Sequence, residues 1–138
     1  MQNITLTVVS QERELLREQV ASVTAPTTDG EITILPHHIP LITTLEPGEV
    51  VYRTSSAEDS LVISNGFLTV SEDNQVIIMV DSAVHAREIS LKAAQKAVEA
   101  ARSVLVVSND QREMILAEAS LKRALLELRV AERAGRRG

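Results

Sequence analysis

The chain has 138 residues, with 14 Lys and Arg against 19 Asp and Glu, no cysteine, and Tyr52 and Phe67 as its only aromatics. That length holds one ordinary domain, or a small domain with an appendage, and any core has to be built from Ile, Leu, Val and Ala. A net charge of -5 argues against nucleic acid, whose phosphates need a basic face, and without cysteine there is no disulfide framework.

The start, Met1-Gln2-Asn3-Ile4-Thr5, has no basic segment leading into an apolar run, so no secretory signal is expected. No stretch reaches the roughly 20 apolar residues of a membrane span. The expectation is a soluble chain facing the cytoplasm. Charge is unevenly divided: residues 1–84 carry three basic side chains (Arg13, Arg17, Arg53) against 12 acidic ones, whereas residues 85–138 carry 11 against seven. Either the two parts have different partners or they attract each other.

Ile4, Leu6 and Val8 alternate with Thr5, Thr7 and Val9, the pattern of a half-buried strand at a sheet edge. Gln11 to Gln19 is charged and reads as either a loop or an irregular strand. Val20 and Val23 lead to the turn Pro26-Thr27-Thr28-Asp29-Gly30, after which Glu31 to Leu35 is a short strand alternating through Ile32 and Ile34. Next comes a loop with Pro36 and Pro40 around His37-His38, then the apolar Leu41, Ile42 and Leu45, then a Pro47-Gly48 turn. Proline fixes φ and glycine admits positive φ, so this segment is held in one shape with little regular structure. It reads as a presented surface. Two adjacent histidines, with His85 far away and no cysteine, make a poor metal site.

Glu49 to Thr54, a polar loop at Ser55 to Asp59, and Leu61 to Ser64 follow. Asn65-Gly66, set between Leu61-Val62-Ile63 and Phe67-Leu68-Thr69-Val70, predicts a two-residue hairpin turn. The last strand, Gln75 to Val80, has Val76, Ile78 and Val80 on one face and Ile77 and Met79 on the other. Both faces are expected to be covered, one by the interior and one by whatever follows. Short strands punctuated by Gly, Pro and Asn predict an antiparallel β-sandwich or flattened barrel over residues 1–84.

Ser90 is placed to cap a helix from Leu91 to about Val106, with Ala94, Ala97, Val98, Ala101 and Leu105 on one stripe. Ser108-Asn109-Asp110 breaks it, and Asp110 three residues before Glu113 has the spacing of a capping box. A second helix from Gln111 to about Arg133 puts Met114, Ala117, Leu121, Ala124, Leu128 and Ala131 on a seam. So much alanine lets two backbones come close, predicting an antiparallel two-helix hairpin over residues 85–138. At about 0.8 kcal/mol per buried methylene, an alanine seam gains little, and the hairpin is expected to depend on docking. The fold class is therefore α+β, mainly β. Catalysis is the least favoured reading, because the nearness of Asp81, Ser82 and His85 in sequence has little specificity.

The order Gly30-Glu31, Leu35-Pro36, His38, Pro40-Leu41, Leu45, Gly48 resembles the epsilon subunit of F-type ATP synthases, at the loop by which that subunit sits on the membrane rotor ring. Val80-Asp81-Ser82-Ala83 with Glu88-Ile89 is similar to the family's junction between sandwich and helices. Ala117, Ala119, Leu121, Ala124 and the run Leu128-Arg129-Val130-Ala131-Glu132 look like its final helix, so the resemblance covers nearly the whole chain. It implies a non-catalytic central-stalk subunit, without cofactor, of a proton- or sodium-driven synthase. Its partners would be the gamma subunit, the c-ring and the alpha and beta subunits of the catalytic head. It would lie at the cytoplasmic face of the bacterial inner membrane, associated with that membrane only through the complex.

Carried onto this chain, the resemblance implies that Glu31, Pro36, His37, His38, Ile39, Pro40 and Leu41 lie against the c-ring. His37 stands where a glycine is common, so the loop tip is bulkier here. Some family members bind ATP through Ile/Leu-Asp-x-x-Arg-Ala. This chain reads Ile89-Ser90-Leu91-Lys92-Ala93-Ala94, so Ser90 replaces the acid and Ala93 the arginine. The bidentate guanidinium is lost, and Lys92, about 100° around the helix, is a poor substitute. Weak or no ATP binding is expected. A second family behaviour is inhibition of ATP hydrolysis by the helices, in which Lys122, Arg123, Arg129, Arg133, Arg136 and Arg137 would meet acidic residues of the head. Basic groups late in a helix also compensate its dipole, so both readings stay open. The alternative is an isolated β-sandwich adaptor that uses its hairpin for protein–protein interaction. A catalytic beta-subunit gene beside this one would exclude it.

Overall fold

The computed structural model describes residues 3–137, with side chains through residue 134. Ten strands come first: β1 (Ile4–Val9), β2 (Glu14–Val20), β3 (Ser22–Thr27), β4 (Gly30–Ile34), β5 (Leu41–Leu45), β6 (Gly48–Arg53), β7 (Glu58–Ile63), β8 (Gly66–Val70), β9 (Gln75–Val80) and β10 (Ala83–His85). A 3-10 turn at Ala86–Glu88 precedes α1 (Leu91–Val107) and α2 (Gln111–Arg137). The chain divides into two compact units, Met1–His85 and Ala86–Gly138.

In the first unit the strands run in the order β10-β7-β6-β3-β5-β8-β9-β1-β2, with β4 paired to β3. The sheet folds over where β3 meets β5 at the single pair Thr27 and Leu45, giving two layers, β10-β7-β6-β3-β4 and β5-β8-β9-β1-β2. One cluster fills the space between them, with Val23, Val50, Tyr52 and Leu61 from one layer and Ile4, Leu6, Leu68, Val76 and Ile78 from the other. This is the α+β, mainly β architecture that the strand pattern predicts. Among the described pairings only β1 with β9 is parallel, so the sandwich is mixed rather than wholly antiparallel.

Three local expectations change, and the open reading of Gln11 to Gln19 resolves to its irregular-strand alternative. β1 is not an edge: it lies between β9 and β2, and Thr7 is buried along with Ile4, Leu6 and Val8. The charged run Gln11 to Gln19 contributes most of β2, the true edge, whose exposed Glu14, Arg17, Glu18 and Gln19 discourage pairing with another chain. Asn65-Gly66 does not close a hairpin, because β7 pairs with β6 and β10 whereas β8 pairs with β5 and β9. It crosses between layers, and Gly66 is needed for closeness: a Cβ there would stand 2.1 Å from the Met79 carbonyl oxygen. Finally, β9 is not covered on both faces, since Ile77 and Met79 remain 39% and 57% exposed.

The turn from β3 to β4 behaves as its residues predict. Thr28-Asp29 forms it, Thr27 Oγ1 donates to the Gly30 carbonyl at 2.5 Å, and Gly30 takes φ 117°, which side-chain-bearing residues rarely adopt.

In the second unit Ser90 caps α1, its Oγ accepting from the Ala93 N–H at 3.2 Å. Ala94, Val98 and Ala101 of the predicted stripe are buried and Leu105 is half-buried, whereas Ala97 is exposed. Asp110 caps α2 by accepting from the Arg112 N–H at 2.9 Å. The reciprocal half of the capping box is replaced: the Asp110 N–H donates to Ser108 Oγ at 3.1 Å. Ala117, Ala124 and Ala131 are buried and Met114, Leu121 and Leu128 half-buried, as a seam between two close helices requires.

Candidate functional site

Two features of the first unit stand out as presented surface. The first is the segment from Leu35 to Pro40, at the end of β4. The His38 N–H donates to the Leu35 carbonyl at 3.1 Å, closing a four-residue turn with Pro36 second and His37 third. His37 has φ 68°, so this is a type II turn, whose third position favours glycine. The peptide N–H of His37 donates to Asn74 Oδ1 at 2.6 Å, tying the loop to the connection between β8 and β9. His38 Nδ1–H donates to the Ile39 carbonyl at 2.7 Å, which fixes that ring. Leu35, His37, Ile39 and Pro40 are exposed, and Pro36 and His38 are half-buried.

Glu31 is exposed on β4 opposite Pro26. Leu41 differs from its predicted neighbours: it packs against the sandwich core as the first residue of β5. Leu35 is exposed beside the turn. Among the described residues no three His, Cys, Asp or Glu side chains gather as metal ligands.

The second feature was not singled out from the sequence. On the outer face of β5, β8 and β9, Ile42 is 76% and Phe67 55% exposed, beside Ile77 and Met79. Phe67 pairs across the strands with Met79, and Thr69 with both Ile42 and Ile77, so the four form one apolar face interrupted only by threonine. The sequence carried its signal in the apolar character of both faces of Gln75 to Val80.

His85 does not meet Asp81 and Ser82 as a catalytic group. Its Nε2 lies 3.0 Å from Tyr52 Oη and 3.8 Å from Asp59 Oδ2, while the Ser82 N–H donates to Ser64 Oγ at 2.9 Å.

In the second unit, Ser90 and Ala93 are joined by the α1 cap, and Lys92 is exposed. Along α2, Lys122 and Arg129 are exposed on one stripe with the half-buried Arg133. Arg123 lies about 100° around and pairs with Glu127 at 3.3 Å. The side chains of Arg136 and Arg137 lie outside the described residues. Exposed Val106, Val107, Ile115 and Leu116 surround the short connection between the helices. Among the described residues no helix is long and apolar enough to cross a membrane.

The sandwich with its presented loop corresponds to a described class: the family model for the ATP synthase delta/epsilon chain β-sandwich domain matches residues 3–86. Full-length relatives carry the likeness through the helices. The ATP synthase epsilon chain of Dehalococcoides mccartyi is 41% identical over 138 residues, covering 96% of this chain and 95% of that one. That of Syntrophobacter fumaroxidans is 38% identical over 132 residues, covering 96% and 98%. The chain belongs to the ATP synthase epsilon-chain family. Among solved structures, a chain of the Euglena gracilis mitochondrial ATP synthase, in an assembly of OSCP, F1 and c-ring, superposes with a TM-score of 0.76 at 31% identity over 96% of this chain and 81% of that chain. A chain of the Tetrahymena thermophila mitochondrial ATP synthase central stalk and c-ring shares the fold, with a TM-score of 0.63 at 16% identity over 94% of this chain and 97% of that one.

Proposed function

We propose that this chain is a non-catalytic rotor subunit, which couples a proton- or sodium-driven c-ring to the gamma subunit and the catalytic head. The observation that carries the reading is the loop from Leu35 to Pro40. It is exposed and apolar at Leu35, Ile39 and Pro40, yet closed by a turn and held at His37 by a hydrogen bond from another part of the sandwich. A contact that passes torque must not yield, and this loop is stiff by construction. Glu31, Pro36, His37, His38, Ile39 and Pro40 form the ring-facing surface, with Leu41 anchoring it from behind.

The apolar face of Ile42, Phe67, Ile77 and Met79 is the seat for gamma. Side chains of this size on adjacent strands are what an obligate partner buries. Lys122 and Arg129, with Arg123 and Arg133 beside them, form the part of α2 that meets acidic groups of alpha and beta and slows ATP hydrolysis. ATP binds the hairpin weakly or not at all, because Ser90 and Ala93 offer a cap where a carboxylate and a guanidinium would be needed. The working position is peripheral, at the cytoplasmic face of the bacterial inner membrane, with attachment through the complex.

The test is ion pumping by the matching synthase assembled in vesicles with wild-type chain or with Ile39→Glu. The expected result is that ATP hydrolysis continues while fewer ions are pumped per ATP. An unchanged ratio, with the variant chain still in the complex, removes the loop from the rotor contact.

A further inference from the structure

We infer that Asn74 is a positioning residue for the presented loop: its side chain sets which way the Pro36–His37 peptide faces, and so which surface the loop offers to a partner. The inference rests on the reading of that loop as the ring contact, and it names the group that holds the contact in shape.

His37 and Asn74 are the two non-glycine residues with positive φ among those described, at 68° and 60°, and one hydrogen bond joins them across 37 positions of sequence. The two cases differ in cause. Asn74 ends the short connection between β8 and β9, in which the Ser71 N–H donates to the Gln75 carbonyl at 2.9 Å; a left-handed residue is common in such connections and asparagine tolerates it. Its own carbonyl accepts from the Thr5 N–H at 2.9 Å, where β1 starts alongside β9. Asn74 is therefore fixed by the sandwich itself.

His37 has no such local reason. A Leu35–His38 turn with Pro36 second forms equally well as type I, in which the third residue takes φ near -90° at no cost to a histidine. The two forms differ by a flip of the Pro36–His37 peptide. In the observed form the His37 N–H faces Asn74 Oδ1; in the other it faces away and the amide oxygen of Asn74 loses its donor. The 2.6 Å bond thus stabilises the form that the His37 side chain disfavours. With glycine at position 37 the turn would need no such help. With histidine there, the asparagine decides.

The experiment uses the full chain in solution and in the assembled synthase. Asn74→Gly keeps the left-handed backbone and removes the acceptor; Asn74→Asp keeps an acceptor oxygen; His37→Gly removes the backbone penalty. By NMR, Asn74→Gly is expected to speed hydrogen exchange at the His37 amide by about fivefold, with Asn74→Asp within about twofold of wild type. It should also weaken the strong NOE from Pro36 Hα to the His37 amide that only the type II turn gives. His37→Gly in the Asn74→Gly background should restore that NOE. A urea unfolding slope unchanged across the set, with midpoints shifted by no more than loss of one hydrogen bond gives, shows that the sandwich is intact. If Asn74→Gly leaves both exchange and NOE as in wild type, or if His37→Gly does not restore the NOE, the inference is overturned. In vesicles, Asn74→Gly is expected to lower ions pumped per ATP, with Asn74→Asp rescuing the ratio. If the NMR changes occur and the pumping ratio does not move, the role of Asn74 in setting the turn stands and the ring-contact reading fails.

Discussion

Replacing Ile42 by threonine tests whether the outer face of β5, β8 and β9 is a seat for another subunit. Threonine keeps the β-branch that suits a strand, and the neighbours Thr43 and Thr44 show that this strand accepts it. Ile42 is 76% exposed, so it contributes little to the folded chain alone. The stability change should stay within about 0.5 kcal/mol, as for other surface substitutions. Burying an isoleucine fully is worth about 1.5–3 kcal/mol, and about three-quarters of it remains to be buried by a partner. Threonine forfeits most of that, leaving a loss of about 1–2 kcal/mol, or roughly five- to thirtyfold in affinity for a gamma-containing catalytic complex.

The assay is a titration of that complex with labelled full-length chain, wild type and Ile42→Thr, beside a urea unfolding curve for each. Phe67→Thr, at 55% exposure on the facing strand, should behave alike with a loss of about 1 kcal/mol or more. Unchanged affinity with an unchanged unfolding midpoint refutes the seat. A midpoint that falls by more than the stated range refutes the premise that these side chains lie outside the core.

Gly66→Ala should be costly for a steric reason, because the new Cβ would stand 2.1 Å from the backbone oxygen of Met79; a loss of about 1–3 kcal/mol is expected, read as a lower urea midpoint at constant slope. Wild-type chain should show no rise in melting temperature with ATP, whereas the double substitution Ser90→Asp with Ala93→Arg, which supplies the acid and guanidinium of the ATP-binding relatives, should show one; calorimetric binding to the wild type would contradict the reading. Removing Lys122 and Arg129 together should relieve inhibition of ATP hydrolysis by the assembled head without dissociating the chain, and equal hydrolysis rates with both chains would leave α2 without an inhibitory role.

The helices were legible at both starts and, for α1, to one residue at its end, whereas α2 runs to Arg137, four residues past its expected end. Their caps, Ser90 and Asp110, and their alanine seam are local features, and a period of 3.6 needs no knowledge of what lies elsewhere in the chain. Ala97, on the predicted stripe yet exposed, shows the limit: periodicity gives a direction, and only the partner helix decides how wide the buried strip is. The presented loop was legible as an exposed, proline-stiffened segment, but Asn74 was not, since nothing in residues 35–40 names an acceptor 37 positions away.

Two of the misreadings of the sandwich share one physical reason. Asn65-Gly66 between two apolar runs carries every local mark of a hairpin, yet β7 and β8 lie in different layers, and the glycine is required by the Met79 backbone that passes close to it. Ile77 and Met79 carry every mark of burial, yet this chain leaves them exposed. In a strand the alternation of side chains fixes two faces, and says nothing of which strand runs alongside or what lies over each face. For a protein that works alone, a second apolar face has to be covered by its own chain. In a family whose members work inside an assembly, the same pattern is better read as an address for a neighbour, and Ile42, Phe67, Ile77 and Met79 are the residues on which that difference turns.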